Sequence, residues 1–168
     1  MREISPYELQ GNTFEMLDKD WMLVTAADEN GEKVNTMTAS WGGLGVLWGK
    51  PVAFVFIRPQ RYTYEFTEKN DRMTLSFFGG EMREALTLCG RKSGRDCDKI
   101  GEAGLTPVTL SDGGVSFEEA HAVLSCRKMY ADFIKQDCML DESIMKTYEK
   151  HDFHRVYVCE IEKVLLRD

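Results

Sequence analysis

The stretch Ile57-Arg58-Pro59-Gln60-Arg61-Tyr62-Thr63-Tyr64-Glu65 runs from an apolar, strand-like segment into a short helix, with two arginines and a threonine at the junction. The first N–H groups of a helix lack intrahelical partners and carry a partial positive charge. A guanidinium adds paired donors, so a junction of this kind can cradle a phosphate. On these residues alone a second reading stands level with the first: Thr63 is a helix cap and the arginines are solvated surface charges. Upstream, Asn35-Thr36-Met37-Thr38-Ala39-Ser40-Trp41-Gly42-Gly43 ends a strand in small hydroxyl residues and glycines. Backbone amides there are open to a ligand lying flat against the strand; the alternative is an ordinary strand end with a flexible turn, in which Trp41 and Trp48 are core or contact aromatics. Downstream, Cys89 to Lys99 sets four cations (Arg91, Lys92, Arg95, Lys99) against Asp96 and Asp98, a local net charge of +2 in a chain of net charge -7. Its glycines and serine suit a loop that closes over an anion, and equally a loop that sits in solvent.

What must position these stretches is a set of strands. Trp21 to Ala27 and Lys33 to Ser40 read as strands, and the Asn30-Gly31 pair between them is a tight hairpin signal, so the two should pair antiparallel. Pro51 to Ile57 and Met73 to Phe78 are nearly continuous apolar runs, each a strand with a well-buried face. Between them Tyr62 to Asn70 spaces Tyr62 with Phe66 and Glu65 with Lys69 as a short amphipathic helix does. Glu81 to Leu88 predicts a second helix, followed by the polar loop Cys89 to Lys99. His121 to Met129 and His154 to Leu166 are further strands, with a helical stretch, Asp141 to Lys150, between them. Alternation of Val156, Val158 and Glu160 with Tyr157, Cys159 and Ile161 is less clean than period two demands, which points to a last strand buried on both faces. With no repeat, low-complexity tract or linker, residues 1–168 read as one domain. It is mainly β with inserted helices, and a small β-barrel rather than a doubly wound sheet.

Composition narrows the function. A chain of 168 residues buries roughly 70% of its unfolded surface and needs no metal or disulfide to fold. No apolar run approaches the ~20 residues of a membrane span, and the acidic N-terminal segment lacks the features of a secretory signal, so a cytoplasmic address is expected. Five cysteines form no C-x-x-C pair and are odd in number, as in a reducing compartment. Cys89 and Cys97 flank the positive loop; with no resolving partner at fixed spacing, burial explains them better than redox chemistry. The three histidines and the cysteines miss zinc spacing, so no metal is expected. The net negative charge argues against a nucleic-acid partner.

In this order and spacing, the text NTMTASWGGLGVLWGKPVAFVFIRPQRYTYEF, MTLSFF, CGRKSGRDCDKIGEAGLTP and HRVYVCEIEKVLL resembles the flavin reductase family with the FMN-binding split-barrel fold. The likeness is to its flavoredoxin-like branch in particular, and it runs from about Trp21 to the C-terminus. The resemblance implies a homodimer that binds FMN near the subunit interface. Carried over residue by residue, it sets Thr38, Ala39, Ser40 and Trp41 at the edge of the flavin ring. Arg61, Tyr62 and Thr63 become the phosphate turn, with Arg58 as a helper. Ser76 and Phe78 lie where the family's next strand passes the flavin, on one face by period two. Lys92, Ser93 and Gly94 match the loop beside the ring or phosphate.

The function so implied is an oxidoreductase that passes electrons from NADH or NADPH through bound flavin to an acceptor. No G-x-G-x-x-G follows a strand here, so nicotinamide use rests on the resemblance alone. No side chain need act as general acid or base; His154 is a candidate for assistance near the ring and, more commonly for such a position, a structural residue. Two other readings stay open. One is a flavoredoxin-type electron carrier that needs a partner reductase; the other is a non-catalytic split-barrel module holding another flat ligand such as haem.

Overall fold

A computed structural model describes residues 1–167. Its strands are β1 (Arg2–Ile4), β2 (Met22–Ala27), β3 (Val34–Ala39), β4 (Gly42–Leu47), β5 (Lys50–Ile57), β6 (Arg72–Phe77), β7 (Pro107–Thr109), β8 (Val115–Phe117), β9 (Ala122–Phe133) and β10 (Arg155–Leu166). The α-helices are a single turn α1 (Thr13–Glu15), α2 (Tyr62–Lys69), α3 (Arg83–Arg91) and α4 (Lys99–Glu102). No helix among the described residues is long and apolar enough to cross a membrane.

Every strand pair is antiparallel, and the main sheet runs β3-β2-β6-β9-β10-β5-β4, with β1 added alongside β10. Strands β3 and β4 are the two edges of that order, yet only Ser40 and Trp41 separate them in the chain. Seven strands laid flat at ~4.8 Å would hold the edges roughly 29 Å apart. Three Cα–Cα steps of ~3.8 Å reach at most about 11 Å. The sheet therefore rolls up until its edges face each other without pairing, a split barrel.

The rolled sheet buries Met22, Val24, Met73, Leu75, Phe77, Leu124, Tyr157 and Ile161 in one cluster, which Phe66 of α2 joins. Alternate residues Leu23 and Val123 point the other way and are covered by Leu86 and Cys89 of α3 and by Phe117 of β8. Burial on both faces explains why the central strands read as continuous apolar runs.

The expected hairpin forms, in the register Met22↔Ala39 to Ala27↔Val34, with Gly31 at φ 72° in its turn. β10 is buried on both faces at Tyr157, Val158 and Cys159, and two register shifts against β9 account for its untidy alternation. Elsewhere the chain departs from expectation. Helix α3 runs to Arg91, three residues into the stretch read as loop, and α4 begins at that stretch's last residue. The helical stretch expected over Asp141 to Lys150 does form, as a 3-10 helix over Glu142–Tyr148. Strand β4 was not anticipated, because Gly42, Gly43 and Gly45 have low strand propensity.

Candidate functional site

The crossing from β3 to β4 leaves a cleft of about 210 Å³. Thr38 and Ala39 of β3, Ser40 and Trp41 of the crossing, and Phe56 of β5 form its walls; Arg58, Arg61 and His154 complete them. As an edge strand, β3 has no partner on its cleft side, so half its backbone groups are free of the ladder. A larger hollow of about 550 Å³ lies beneath the N-terminal segment, but Glu8, Glu15 and Asp20 line it and make it inhospitable to a phosphate.

The structure separates the two arginines that the sequence sets side by side. Arg58 is committed: it pairs with Asp152, donates to the Thr147 carbonyl at 3.0 Å and lies 5.3 Å from the centre of the Tyr148 ring. Arg61 has no carboxylate partner among the described residues. Among the described residues its guanidinium makes one hydrogen bond, a long one from Nη2 to the Cys89 carbonyl, 3.5 Å. Burial without a counter-charge lowers its pKa from the usual arginine value.

Lys99 stands beside it. Only 3% exposed, it donates from Nζ to the carbonyls of Cys89 and Lys92, each at 3.2 Å, and it too has no carboxylate partner among the described residues. Burial, aided by repulsion from Arg61, brings its pKa down to about 8. The C-terminal carbonyls of α3 hold both cations, but backbone dipoles supply only a fractional negative charge. Two poorly neutralised cations at one spot form an anion site by electrostatics alone. The sequence reading placed Lys99 in a charged loop and gave it no role; its burial is a tertiary fact.

At the start of α2 the N-cap position is Arg61, extended and without a side-chain cap, so the first helical N–H groups are uncapped by any side chain. Thr63 is therefore not the cap. It is buried, and its hydroxyl accepts from Asn35 Nδ2 at 2.8 Å. Tyr62 packs edge-on against Phe66 at 4.9 Å, with the Arg95 guanidinium 4.7 Å over its ring. Gly94 approaches so closely that a Cβ there would meet Asn35 Oδ1 and the Tyr62 ring. Lys92 points outward to Glu102 at 2.5 Å, and Ser93 Oγ accepts from the Arg95 amide.

Of the thirteen expected residues, Thr38, Ala39, Ser40, Trp41, Arg58 and Arg61 line the cleft, while Tyr62, Thr63, Ser76, Phe78, Lys92, Ser93 and Gly94 do not. Ser76 is wholly buried and shares a 3.0 Å hydrogen bond with Ser116, while Phe78 packs against Phe117 in the second cluster. They do share a face, as period two requires, but it is the face that β8 covers.

His154 does border the cleft, its ring centre 5.3 Å from that of Trp41. Burial, with Arg58 nearby, pushes its pKa down to about 4, so it is neutral at pH 7. Tyr148 Oη lies 2.8 Å from His154 Nδ1. Imidazole nitrogen is the better acceptor and phenol the better donor, so we assign the proton on Nδ1's side to tyrosine and leave Nε2–H to face outward. Such a histidine offers a hydrogen bond, not a proton. Cys89 is equally unreactive, its thiol pushed up to about 11 by burial.

Comparison with known proteins agrees with this architecture. The family model described as flavin reductase like domain matches residues 17–168. A search of curated proteins finds no match. Among solved structures, an FMN-binding protein from Thermus thermophilus with bound p-hydroxybenzaldehyde superposes with a TM-score of 0.70 at 21% identity, covering 100% of this chain and 83% of that one. Flavoredoxin of Desulfovibrio vulgaris (Miyazaki F) gives 0.70 at 20% identity, covering 100% and 77%. An NADH:FAD oxidoreductase from Streptomyces globisporus C-1027 gives 0.65 at 13%, covering 88% and 75%. At such identities these likenesses establish the fold.

Proposed function

Because the chain belongs to the flavin reductase like domain family, we propose that its cleft binds FMN and that the protein is an oxidoreductase taking electrons from NADH or NADPH to an acceptor. The observation that carries this reading is Arg61: a half-buried cation without a carboxylate partner, opening into the same cleft as the free edge of β3. A phosphate monoester carries close to two negative charges above its second pKa of about 6 and supplies the missing counter-charge.

The residues divide the work. Arg61, the N–H groups of Tyr62 and Thr63, and Lys99 behind them bind the phosphate. Arg58 shapes the cleft wall from its pairing with Asp152. Thr38, Ala39 and Ser40 orient the ring by backbone and hydroxyl groups, while Trp41, Phe56 and neutral His154 exclude water. Lys92 contributes its carbonyl to hold Lys99, and Ser93 and Gly94 shape the loop against Tyr62. Bound flavin would supply reversible two-electron chemistry, which no side chain of the cleft provides. Exposed Trp41, Val46 and Trp48 at the β4 edge suit the homodimer that the resemblance implies. The five free thiols suit the cytoplasm.

Titration of the purified protein with FMN, followed by flavin fluorescence across pH, tests the reading. Lys99 is charged below its depressed pKa of about 8 and loses that charge above it. FMN affinity should therefore be highest between about pH 6 and 8 and then fall, by at most about tenfold per pH unit. Riboflavin, with no phosphate, should bind weakly at every pH. Equal binding of riboflavin and FMN, or no binding of either, would remove the proposal. Oxidation of NADH or NADPH by the FMN-loaded protein alone distinguishes an enzyme from a carrier, which would turn over only with a partner reductase.

A further inference from the structure

A hollow of about 370 Å³ adjoins the cleft, and Ser40, Trp41, Phe56 and His154 line both. Whatever ring the cleft holds therefore has the hollow's occupant as its neighbour. The remaining walls come from elements that the cleft does not use. Asn12 caps α1, its side chain accepting from the Phe14 amide at 3.0 Å, and that first turn sets the Phe14 ring at the hollow's edge. Leu17 follows from the helical turn Met16–Asp20. Ile134 enters just past the end of β9, where its amide donates to the His154 carbonyl at 2.9 Å.

The lining decides what fits. Phe14, Trp41, Phe56 and Tyr148 supply aromatic rings, and Leu17 and Ile134 supply aliphatic surface. No lysine or arginine borders the hollow among the described residues; its one charged group is Asp18, an exposed carboxylate 2.8 Å from Lys19. A phosphorylated ligand or any other anion finds no counter-charge there. The donors on offer are the Ser40 hydroxyl and the His154 Nε2–H, because the Tyr148 hydroxyl is spent on Nδ1. The rings of Trp41, Phe56 and Tyr148, with centres 5.3 to 6.4 Å from that of the imidazole, hold this donor in place. The occupant so described is small, flat and uncharged, with oxygen acceptors.

Reduction chemistry narrows the class further. An aldehyde or an enone that takes up a hydride becomes a strongly basic alkoxide or carbanion and needs an acid beside it. Neutral His154 and the engaged Tyr148 hydroxyl supply none. A quinone ends with both protons on weakly basic, phenol-like oxygens that water can protonate.

We propose that this hollow binds a quinone, and that a quinone is the acceptor that the protein reduces. One carbonyl accepts from His154 Nε2–H, a bond that strengthens as negative charge builds on that oxygen. The quinone takes two electrons and two protons, its two C=O groups becoming C–O–H. The reduced flavin that supplies them is left oxidised, and NADH or NADPH with one solvent proton restores it. This rests on the reading that the flavin ring occupies the neighbouring cleft.

Tetramethyl-1,4-benzoquinone is the probe, since its ring has no free carbon for a thiol such as exposed Cys138 to attack. Its binding to the oxidised, FMN-loaded full chain is measured by calorimetry in the wild type, Phe14→Asp and Ile134→Asp. Neither residue lines the cleft, and Phe14 is 84% exposed, so its replacement carries no risk to the core. A carboxylate in an apolar wall should weaken quinone binding about tenfold or more in each variant, while FMN affinity stays within about twofold. Wild-type protein reduced anaerobically with one equivalent of dithionite and mixed with the quinone should regain the absorbance of oxidised flavin. Both variants should do so about tenfold or more slowly at subsaturating quinone. FMN binding without quinone binding overturns the acceptor site alone. Quinone binding or reduction that neither variant weakens does the same, and so does reduced wild-type protein that keeps its electrons. A fall in molecular mass by light scattering in Phe14→Asp overturns it too, because a second copy of the chain would then fill the hollow. A wild type that binds no FMN overturns the flavin reading and the acceptor role together.

Discussion

Replacing Arg61 by alanine is expected to weaken FMN binding by about tenfold to a hundredfold while leaving the unliganded protein as stable as before. A charge-assisted hydrogen bond contributes roughly 1.5 to 3 kcal/mol, which converts to that range of affinity. Stability should not suffer, because Arg61 brings to the folded state a partly desolvated charge with one long bond to a carbonyl and no ion pair. A side chain that is poorly satisfied until a ligand arrives is the expected signature of a binding residue. Arg58→Ala should behave differently. Its guanidinium ties Asp152 and the Thr147 carbonyl to the barrel, so its loss should loosen the Glu142–Tyr148 turn and lower the melting temperature, with a smaller effect on FMN. Titration and thermal melting of both variants separate the two roles. An Arg61→Ala protein that binds FMN as the wild type does would leave the phosphate site without its principal cation.

How much of this was legible beforehand depended on whether the determining contact was local. The β2–β3 hairpin is set by Asp28 to Lys33, a few neighbouring residues, and was readable. Strand β4 was not, because its glycines answer to a distant neighbour: a Cβ on Gly42 would come within 2.9 Å of the Phe54 carbonyl. The turn into β5 places Trp48 at φ 52° and Gly49 at φ 70°, a left-handed pair in which tryptophan is an unusual first member, so the hairpin signal was hidden. The same distinction holds within the site. Residue types left the segment Arg58 to Thr63 open between a phosphate turn and a capped helix start with surface charges, and the family resemblance implied the first. Which arginine is free depends on Asp152, 94 residues away from Arg58, and which lysine is buried depends on how α4 folds back onto the end of α3. Period two correctly paired Ser76 with Phe78, but in a sheet covered on both sides it says nothing about which cover they meet.

The largest effect on the fold is expected at Phe77, and it should be the mirror image of Arg61. This ring is buried in the barrel from β6, which lies between β2 and β9 near the middle of the sheet. Truncation to alanine removes a full aromatic side chain and leaves a cavity that stiff flanking strands close only in part, a loss of about 3 to 5 kcal/mol. For a chain of this size each kcal/mol lowers the melting temperature by roughly 2 to 4 °C, so Phe77→Ala should melt about 6 to 20 °C below the wild type. Phe77 does not line the cleft. At a temperature where the variant is folded, its FMN affinity should therefore match the wild type within about twofold, and saturating FMN should restore part of the lost melting temperature by mass action. Urea or thermal unfolding with and without FMN, alongside a titration in the cold, measures both quantities. The cleft is shaped by Ser40 and Trp41, which bridge two edges that the whole curled sheet must bring within about 11 Å of each other. If FMN affinity in Phe77→Ala fell in proportion to stability, the barrel's curl would be yielding along with its core, and the site could not be treated as a rigid feature of the fold.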